Sequence, residues 1–164
     1  MTEEQFWKLI KQSKRGTEDC EEQAEKLILV LTKLEPKEII EFDRYLFKLK
    51  VEAYRWDLWA VAYIINGGCS DDGFEYFRGW LIAQGKEFFE SVIKNPEHAA
   101  KKVKDGEEVE CESILYATQS AYEQKTGEEM SPSIRKYPSK PKGKKWNEND
   151  LQKLYPKLCK RFFS

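Results

Sequence analysis

The chain has 164 residues, of which 40% are apolar and 35% charged, and its 28 basic and 29 acidic side chains nearly cancel. A chain of this length buries roughly 70% of the surface that its unfolded form exposes, so we expect one domain over residues 1–164. No segment approaches the roughly 18 consecutive apolar residues of a membrane span, and residues 1–5 include two glutamates where a secretory signal is basic. These features exclude a membrane-spanning protein and predict a cytoplasmic one.

The chain has four cysteines, Cys20, Cys69, Cys111 and Cys159, and one histidine, His98. Because no Cys-x-x-Cys pair is present, the cysteines do not match a zinc site or a dithiol redox centre. Their even number permits two disulfides, but in a cytoplasmic protein we expect four free, buried thiols. His98 follows a helix-start signal and is predicted to be solvated or to cap a helix. The sequence therefore predicts neither a metal nor a cofactor.

Helical signals dominate the first third of the chain. Thr2 and Gln5 have the spacing of a capping box, which predicts the start of a first helix. Thr17 or Asp19 can cap a second helix, and Pro36 begins a third at the first-turn position that tolerates proline. In all three segments apolar residues recur at intervals of three and four, as on the buried face of a helix.

Residues 54–65 are almost uniformly apolar, which indicates a central helix surrounded by other helices. This helix ends near Gly67, because glycine readily takes the left-handed conformation that closes a helix. Ser70 can then cap the next helix, residues 70–83. We expect that helix to pack on the central one.

Weaker helical signals follow. Pro96 opens a short helix, and another carries apolar residues from Ile114 to Tyr122 and ends at Gly127. No run of alternating β-branched and polar residues predicts a strand. The fold class that we predict is all-α: a single-domain orthogonal helical bundle of six to eight helices, with a basic, Pro-rich loop before a short C-terminal helix.

Residues 131–145, here called the basic arm, contain prolines and a glycine that disfavour regular structure. The basic residues of the arm are Arg135, Lys136, Lys140, Lys142, Lys144 and Lys145. The chain after Glu129 holds ten basic and two acidic residues, and the chain up to Glu129 holds 18 basic and 27 acidic. The arm can engage the phosphates of a nucleic acid, with Tyr137 and Trp146 stacking on bases. The alternative, which we favour, is that the arm wraps the acidic helical body of its own chain.

Three segments carry a resemblance to a known family. One runs from Tyr54 to Gly85 and contains the core S-D-D-x-F-x-x-F-R-x-W-L-I-x-x-G; the others are the opening T-E-E-Q-F-W and the closing Y-P-K-L. Together they resemble the bacterial domain-of-unknown-function family numbered four-two-four-zero. The resemblance implies a small, soluble bacterial protein and, by analogy with relatives, an accessory or interaction module. It implies no set of catalytic residues.

Charged residues inside or beside the most apolar part of the chain form the candidate site. They are Asp43, Asp57, Asp71, Asp72, Arg55 and Arg78. On one continuous helix Asp43 and Asp57 would lie near the same stripe, and such carboxylates can hold a divalent cation or serve as a general acid and base on a phosphate or glycosidic substrate. The alternative, which we favour, is a buried Asp–Arg network that holds two helices in register, with Asp71 and Asp72 as capping residues.

We therefore predict a non-catalytic protein-interaction or accessory module. It would bind a protein partner through its acidic helical face or through the groove beside Asp71 and Asp72. The first alternative is a carboxylate-dependent hydrolase or metal-binding enzyme that uses Asp57, Asp71, Asp72 and Arg78. The second is a weak nucleic-acid binder through residues 131–145.

Overall fold

Helices account for the regular structure of residues 1–131 and 135–163, the part of the chain that the computed structural model describes. The α-helices are α1 (Glu3–Lys14), α2 (Cys20–Thr32), α3 (Pro36–Glu52), α4 (Trp56–Asn66), α5 (Asp71–Ala83), α6 (Lys86–Lys94), α7 (Ala117–Thr126), α8 (Leu151–Leu154) and α9 (Pro156–Phe162). Short 3₁₀ helices cover Pro96–Lys102, Ser113–Tyr116 and Glu148–Asp150. The predicted all-α fold is confirmed, and no described helix is long and apolar enough to cross a membrane.

The predicted helix starts coincide with side-chain caps. At α1, Thr2 Oγ1 accepts a hydrogen bond from Gln5 N at 3.2 Å, and Gln5 Oε1 accepts one from Thr2 N at 2.8 Å. Asp19 caps α2 and Ser70 caps α5 with one hydrogen bond each, from Glu22 N and from Gly73 N. Each cap satisfies an amide of the first turn that no carbonyl of the helix can reach. At the end of α4, Gly67 takes the predicted left-handed conformation, with φ 66°.

Helices α3 and α4 are separate, and Asp43 lies on the first while Asp57 lies on the second. The continuous helix that would place both aspartates near one stripe is therefore not formed. The central helix α4 begins at Trp56, shortly after α3 ends. The basic arm binds the backbone between the two helices: Lys142 N donates to Tyr54 O at 3.0 Å, and Trp56 N donates to Lys142 O at 2.9 Å. Apolar periodicity continues through the break, since both helices bury a face in the same core, and it therefore does not reveal the boundary.

One hydrophobic core takes side chains from all nine α-helices of the described residues. In α4, Leu58, Val61 and Ile64 are completely or almost completely buried. Helix α5 packs on α4 as predicted, and the rings of Trp59 and Phe74 stack with their centroids 5.0 Å apart. Because burial of a large apolar side chain stabilises the fold by roughly 1.5–3 kcal/mol, this packing fixes the position of the groups attached to α5.

A disulfide between Cys20 and Cys111 overturns the expectation of four free thiols. Their Cα atoms lie 5.7 Å apart although the two residues are separated by 91 positions, because α2 packs against the 3₁₀ helix Ser113–Tyr116, which begins just after Cys111. Cys69 and Cys159 are free. The spacing of cysteines in the sequence does not reveal such a pair, because the pairing requires a Cα–Cα distance that only the tertiary fold sets.

Gly79 allows the segment after Cys111 to approach α5 closely. A Cβ atom at this position would lie 2.6 Å from Cys111 O, 3.1 Å from the side chain of Leu115 and 3.2 Å from that of Ile114. We expect Gly79→Ala to lower the free energy of unfolding by about 2–3 kcal/mol, because a backbone carbonyl in a packed core cannot move aside easily. Urea denaturation followed by circular dichroism measures this loss.

Gly73→Ala is the matched control, because it makes the same change on the same helix. Its Cβ would meet only Ser70 Oγ at 3.3 Å and Cys69 Sγ at 3.5 Å, both side-chain atoms. We expect the free energy of unfolding to change by less than about 1 kcal/mol, since alanine also favours the helix. Equal losses in the two variants would contradict the close approach at Gly79.

Candidate functional site

The structure places the predicted aspartates and arginines in separate interactions. Asp43 forms an ion pair with Arg135 of the basic arm, 2.7 Å from Oδ2 to Nη2, and also accepts a hydrogen bond from Thr118 Oγ1 at 2.7 Å. Asp57 forms an ion pair with Arg55, 2.5 Å from Oδ2 to Nη2. Because each acid has its own arginine, these two ion pairs share no residue.

Asp71 and Arg78 both contact Tyr54, but no ion pair joins them in residues 1–131 and 135–163. Tyr54 Oη donates to Asp71 Oδ1 at 3.4 Å, while the guanidinium of Arg78 lies 4.7 Å from the centroid of the Tyr54 ring. Asp72 is exposed at the start of α5. The geometry therefore gives no support to an active site built from Asp57, Asp71, Asp72 and Arg78.

Arg78 is 1% exposed, yet no carboxylate of the described residues lies within 4.0 Å of it. Its Nη1 donates to Lys50 O at 2.7 Å and to Tyr137 Oη, and its Nε donates to Phe74 O at 3.3 Å. Lys50 O lies in the last turn of α3, where carbonyls lack helical partners and the helix dipole is negative. The rings of Tyr54, Phe74 and Tyr137 surround the guanidinium at 4.7, 4.7 and 5.5 Å, within the range of cation–π attraction.

The predicted Asp–Arg network is therefore wrong for Arg78. The buried cation does hold elements together, but its partners are aromatic rings and the C-terminus of α3 in place of aspartates. It connects α3, α5 and the basic arm through Lys50, Phe74 and Tyr137.

Cys69 lies near this arginine but is a poor nucleophile. Burial raises the pKa of Cys69 to about 12, Arg78 acts in the opposite direction, and Glu108 and Glu110 add to the increase. Since the thiolate is the reactive form of cysteine, Cys69 remains an unreactive thiol near neutral pH.

The basic arm packs on the helical body, in agreement with the alternative that we favour. The ring of Tyr137 meets that of Tyr54 edge to face, with centroids 5.2 Å apart, and Trp146 Nε1 donates to Trp56 O at 2.7 Å. Three lysines of the arm, Lys142, Lys144 and Lys145, line a groove of about 960 Å³ together with Arg55 and Asp57 of the helical body. Residues 132–134 of the predicted arm lie outside the described residues. Both rings that could stack on nucleic-acid bases are therefore packed against the body.

Residues 107–112, which form neither helix nor strand, pass beside the end of α4 and beside α5. Val109 and Cys111 are buried while the intervening glutamates are exposed, an alternation like that of an extended chain, in which successive residues point to opposite sides. These glutamates, Glu108, Glu110 and Glu112, are called the acidic row. The side chain of Asn66 hydrogen-bonds both N and O of Val109, at 2.8 and 3.1 Å, and Cys111 N donates to Tyr76 O at 2.9 Å. The backbone bonds hold the acidic row in place.

The acidic row has no cationic partner within 4.0 Å among the described residues. Burial, followed by repulsion from Glu108 and Glu112, raises the pKa of Glu110. The ring of Tyr116, 48% exposed, lies in the same field: burial and then Glu112 raise the pKa of Tyr116. With Asp72 and Tyr76, these residues form one surface, here called the acidic–aromatic surface: Asp72, Tyr76, Glu108, Glu110, Glu112 and Tyr116.

Asp72 is among the site residues predicted from the sequence, but the acidic row is not. The available signal is the run Glu-Val-Glu-Cys-Glu at 108–112, because strict alternation of charged and apolar residues is typical of an extended chain with one buried side. The run pairs with a tyrosine carbonyl and an asparagine side chain, and no neighbouring strand joins it in the described part of the chain.

In residues 1–131 and 135–163, no group of three or more His, Cys, Asp and Glu side chains is placed to hold one metal ion. A hard divalent cation requires several oxygen ligands around one point. The described carboxylates of this surface therefore do not surround one point as the ligands of a single ion do.

Comparison with known proteins agrees with the resemblance seen in the sequence. The model of a family described as "Protein of unknown function (DUF4240)" matches residues 1–124, which hold the acidic–aromatic surface and Arg78. The C-terminal Y-P-K-L segment and the basic arm lie beyond the match. No curated protein and no solved structure matches the chain. Since the match covers well over half of its length, the chain belongs to the DUF4240 family of proteins of unknown function.

Proposed function

We propose that the protein is a non-catalytic interaction module that binds a basic segment of a partner protein on its acidic–aromatic surface. The observation that carries this proposal is the row of three exposed glutamates, reinforced by Asp72, that has no cationic partner in the described residues. Lysine or arginine of a partner would neutralise this charge. The exposed ring of Tyr116 offers the aromatic contact that is enriched in protein interfaces.

The alternation of exposed glutamates with buried residues in the acidic row favours an extended partner. In an extended chain each residue advances about 3.3 Å, so alternate side chains on one side are about 7 Å apart. A partner segment in the same conformation, with basic residues at alternate positions, would present its cations at the same spacing. Because Asn66 and the Cys20–Cys111 bridge already anchor the segment, little ordering of this side is needed on binding.

Binding of a ten-residue peptide with lysine at alternate positions tests the proposal. We expect saturable binding by isothermal titration calorimetry at low ionic strength, where charge attraction is least screened. The triple variant Glu108→Gln/Glu110→Gln/Glu112→Gln is expected to weaken binding at least about tenfold, since it removes the charge of the acidic row.

The matched control removes three glutamates elsewhere: Glu123→Gln/Glu128→Gln/Glu129→Gln. These side chains are exposed at the end of α7 and just after it, so the net charge changes equally while the acidic row is kept. We expect this control to retain peptide binding within about threefold, since the distant charges are largely screened. Equal weakening in both triple variants would show only general attraction to an acidic protein and would refute the proposal. A partner that co-purifies from the native host should likewise be lost only with the first variant.

A further inference from the structure

A second groove, between α1 and the junction of α5 and α6, concentrates positive charge. It has a volume of about 950 Å³. The basic residues that line it are Lys8, Lys11, Lys14, Arg15, Lys86 and Lys102, and the acidic ones are Glu4 and Glu87. The whole chain has a formal net charge of -1, so this excess of cations is a local property of the groove.

Most of these cations lack an acidic partner. Within the described part of the chain, Lys86 is the one with a carboxylate inside 4.0 Å, Glu3 at 3.8 Å. Lys14 is half-buried and donates to the neutral side chain of Gln84. Burial lowers the pKa of Lys14, and repulsion from Lys102 lowers it further. Like charges held around one groove repel each other, and a bound anion would relieve that repulsion.

Hydrogen-bond donors in the same groove also lack acceptors. Helix α6 begins here at Lys86 after Gly85, and no side chain caps its first-turn amides. Trp7, which is 6% exposed, also lines the groove, but its indole N–H, which has no hydrogen-bond partner in the described residues, is itself buried and is not a donor that the groove presents. A helix N-terminus favours an anion through its free amides and its dipole.

We propose that this groove binds a small phosphate-bearing molecule. Its volume lies in the range of roughly 300–1,000 Å³ that is usual for small-molecule sites, and lysines are common binders of phosphate. The rings of Trp7 and Phe88 line the groove and give such a ligand an apolar wall. The cations converge from α1, the start of α6 and Lys102, whereas duplex nucleic acid is usually bound by a basic stripe along one face. The groove shares no residue with the acidic–aromatic surface.

Titration with pyrophosphate and with ATP at low ionic strength tests this proposal. We expect one site by isothermal titration calorimetry, and we expect Lys11→Gln/Lys102→Gln to weaken binding of both probes at least about tenfold, because two cations facing the phosphates are lost. Both side chains are exposed, so the variant should fold, and an unchanged melting temperature checks this.

Lys33→Gln/Lys37→Gln is the matched control, since it removes two exposed lysines outside the groove. We expect this variant to bind both probes within about twofold of the unchanged protein, because the distant charges are screened. Equal weakening in the two variants, or no saturable binding by the unchanged protein, would overturn the proposal. It would also be overturned if a DNA duplex bound more tightly than ATP and depended on Lys11 and Lys102. None of these results would bear on peptide binding by the acidic row, which uses other residues.

Discussion

Reduction of the Cys20–Cys111 disulfide is expected to lower the free energy of unfolding by about 4 kcal/mol. The bridge joins residues that are 91 positions apart, and a cross-link over a loop of that size removes conformational entropy from the unfolded chain worth about 4–5 kcal/mol. Urea denaturation with and without reductant measures the difference. The variant Cys20→Ser/Cys111→Ser should match the reduced protein and should not respond to reductant.

Counting thiols provides the control for this prediction. Alkylation of the unfolded, unreduced protein should modify only Cys69 and Cys159, and prior reduction should raise the number of modified thiols to four. In the folded protein Cys69 should react slowly at neutral pH, because burial raises its pKa to about 12 and keeps the thiol protonated. Four reactive thiols in the unreduced, unfolded protein would show that the bridge is absent.

Arg78→Met is expected to lower the free energy of unfolding by about 3 kcal/mol. Methionine fills much of the same space, but it leaves Lys50 O, at the C-terminus of α3, without its donor. A buried carbonyl without a partner costs about 1–3 kcal/mol, and the lost cation–π contacts with Tyr54 and Phe74 add to that cost. Urea denaturation gives the magnitude.

Arg44→Met is the matched control, because Arg44 lies on the exposed side of α3. Its effect should stay within about 0.5 kcal/mol, as is usual for surface substitutions. Since Arg78 Nη1 also donates to Tyr137 of the basic arm, Arg78→Met should speed trypsin cleavage within the arm, whereas Arg44→Met should not. A loss below about 1 kcal/mol with unchanged cleavage would mean that Arg78 does not hold these elements together.

Only part of the acidic–aromatic surface could be predicted from the sequence. Asp72 was found because it follows the capping residue Ser70, and both features are local. The alternation at 108–112 predicts a segment with one buried side, but it does not predict that Tyr76 lies beside that segment. That neighbourhood depends on the bond from Cys111 N to Tyr76 O, between positions far apart in the chain.

The amino-acid sequence by itself determined where α1, α2 and α5 begin, where α4 ends and which faces the helices bury. The bonds that decide these features join residues three or four positions apart, as at Thr2 with Gln5 and Ser70 with Gly73, and the apolar faces repeat with the helical period.

The tertiary structure alone decided which charges meet. Arg78 reaches Lys50 and Tyr137 across 28 and 59 positions, and Cys20 reaches Cys111 across 91. Local propensity and periodicity carry no information about such pairs, because the partners come together only when whole helices pack. Arg78 could therefore be buried among aromatic rings although its helix begins with two aspartates, and a near-neutral chain could present one acidic surface and one basic groove.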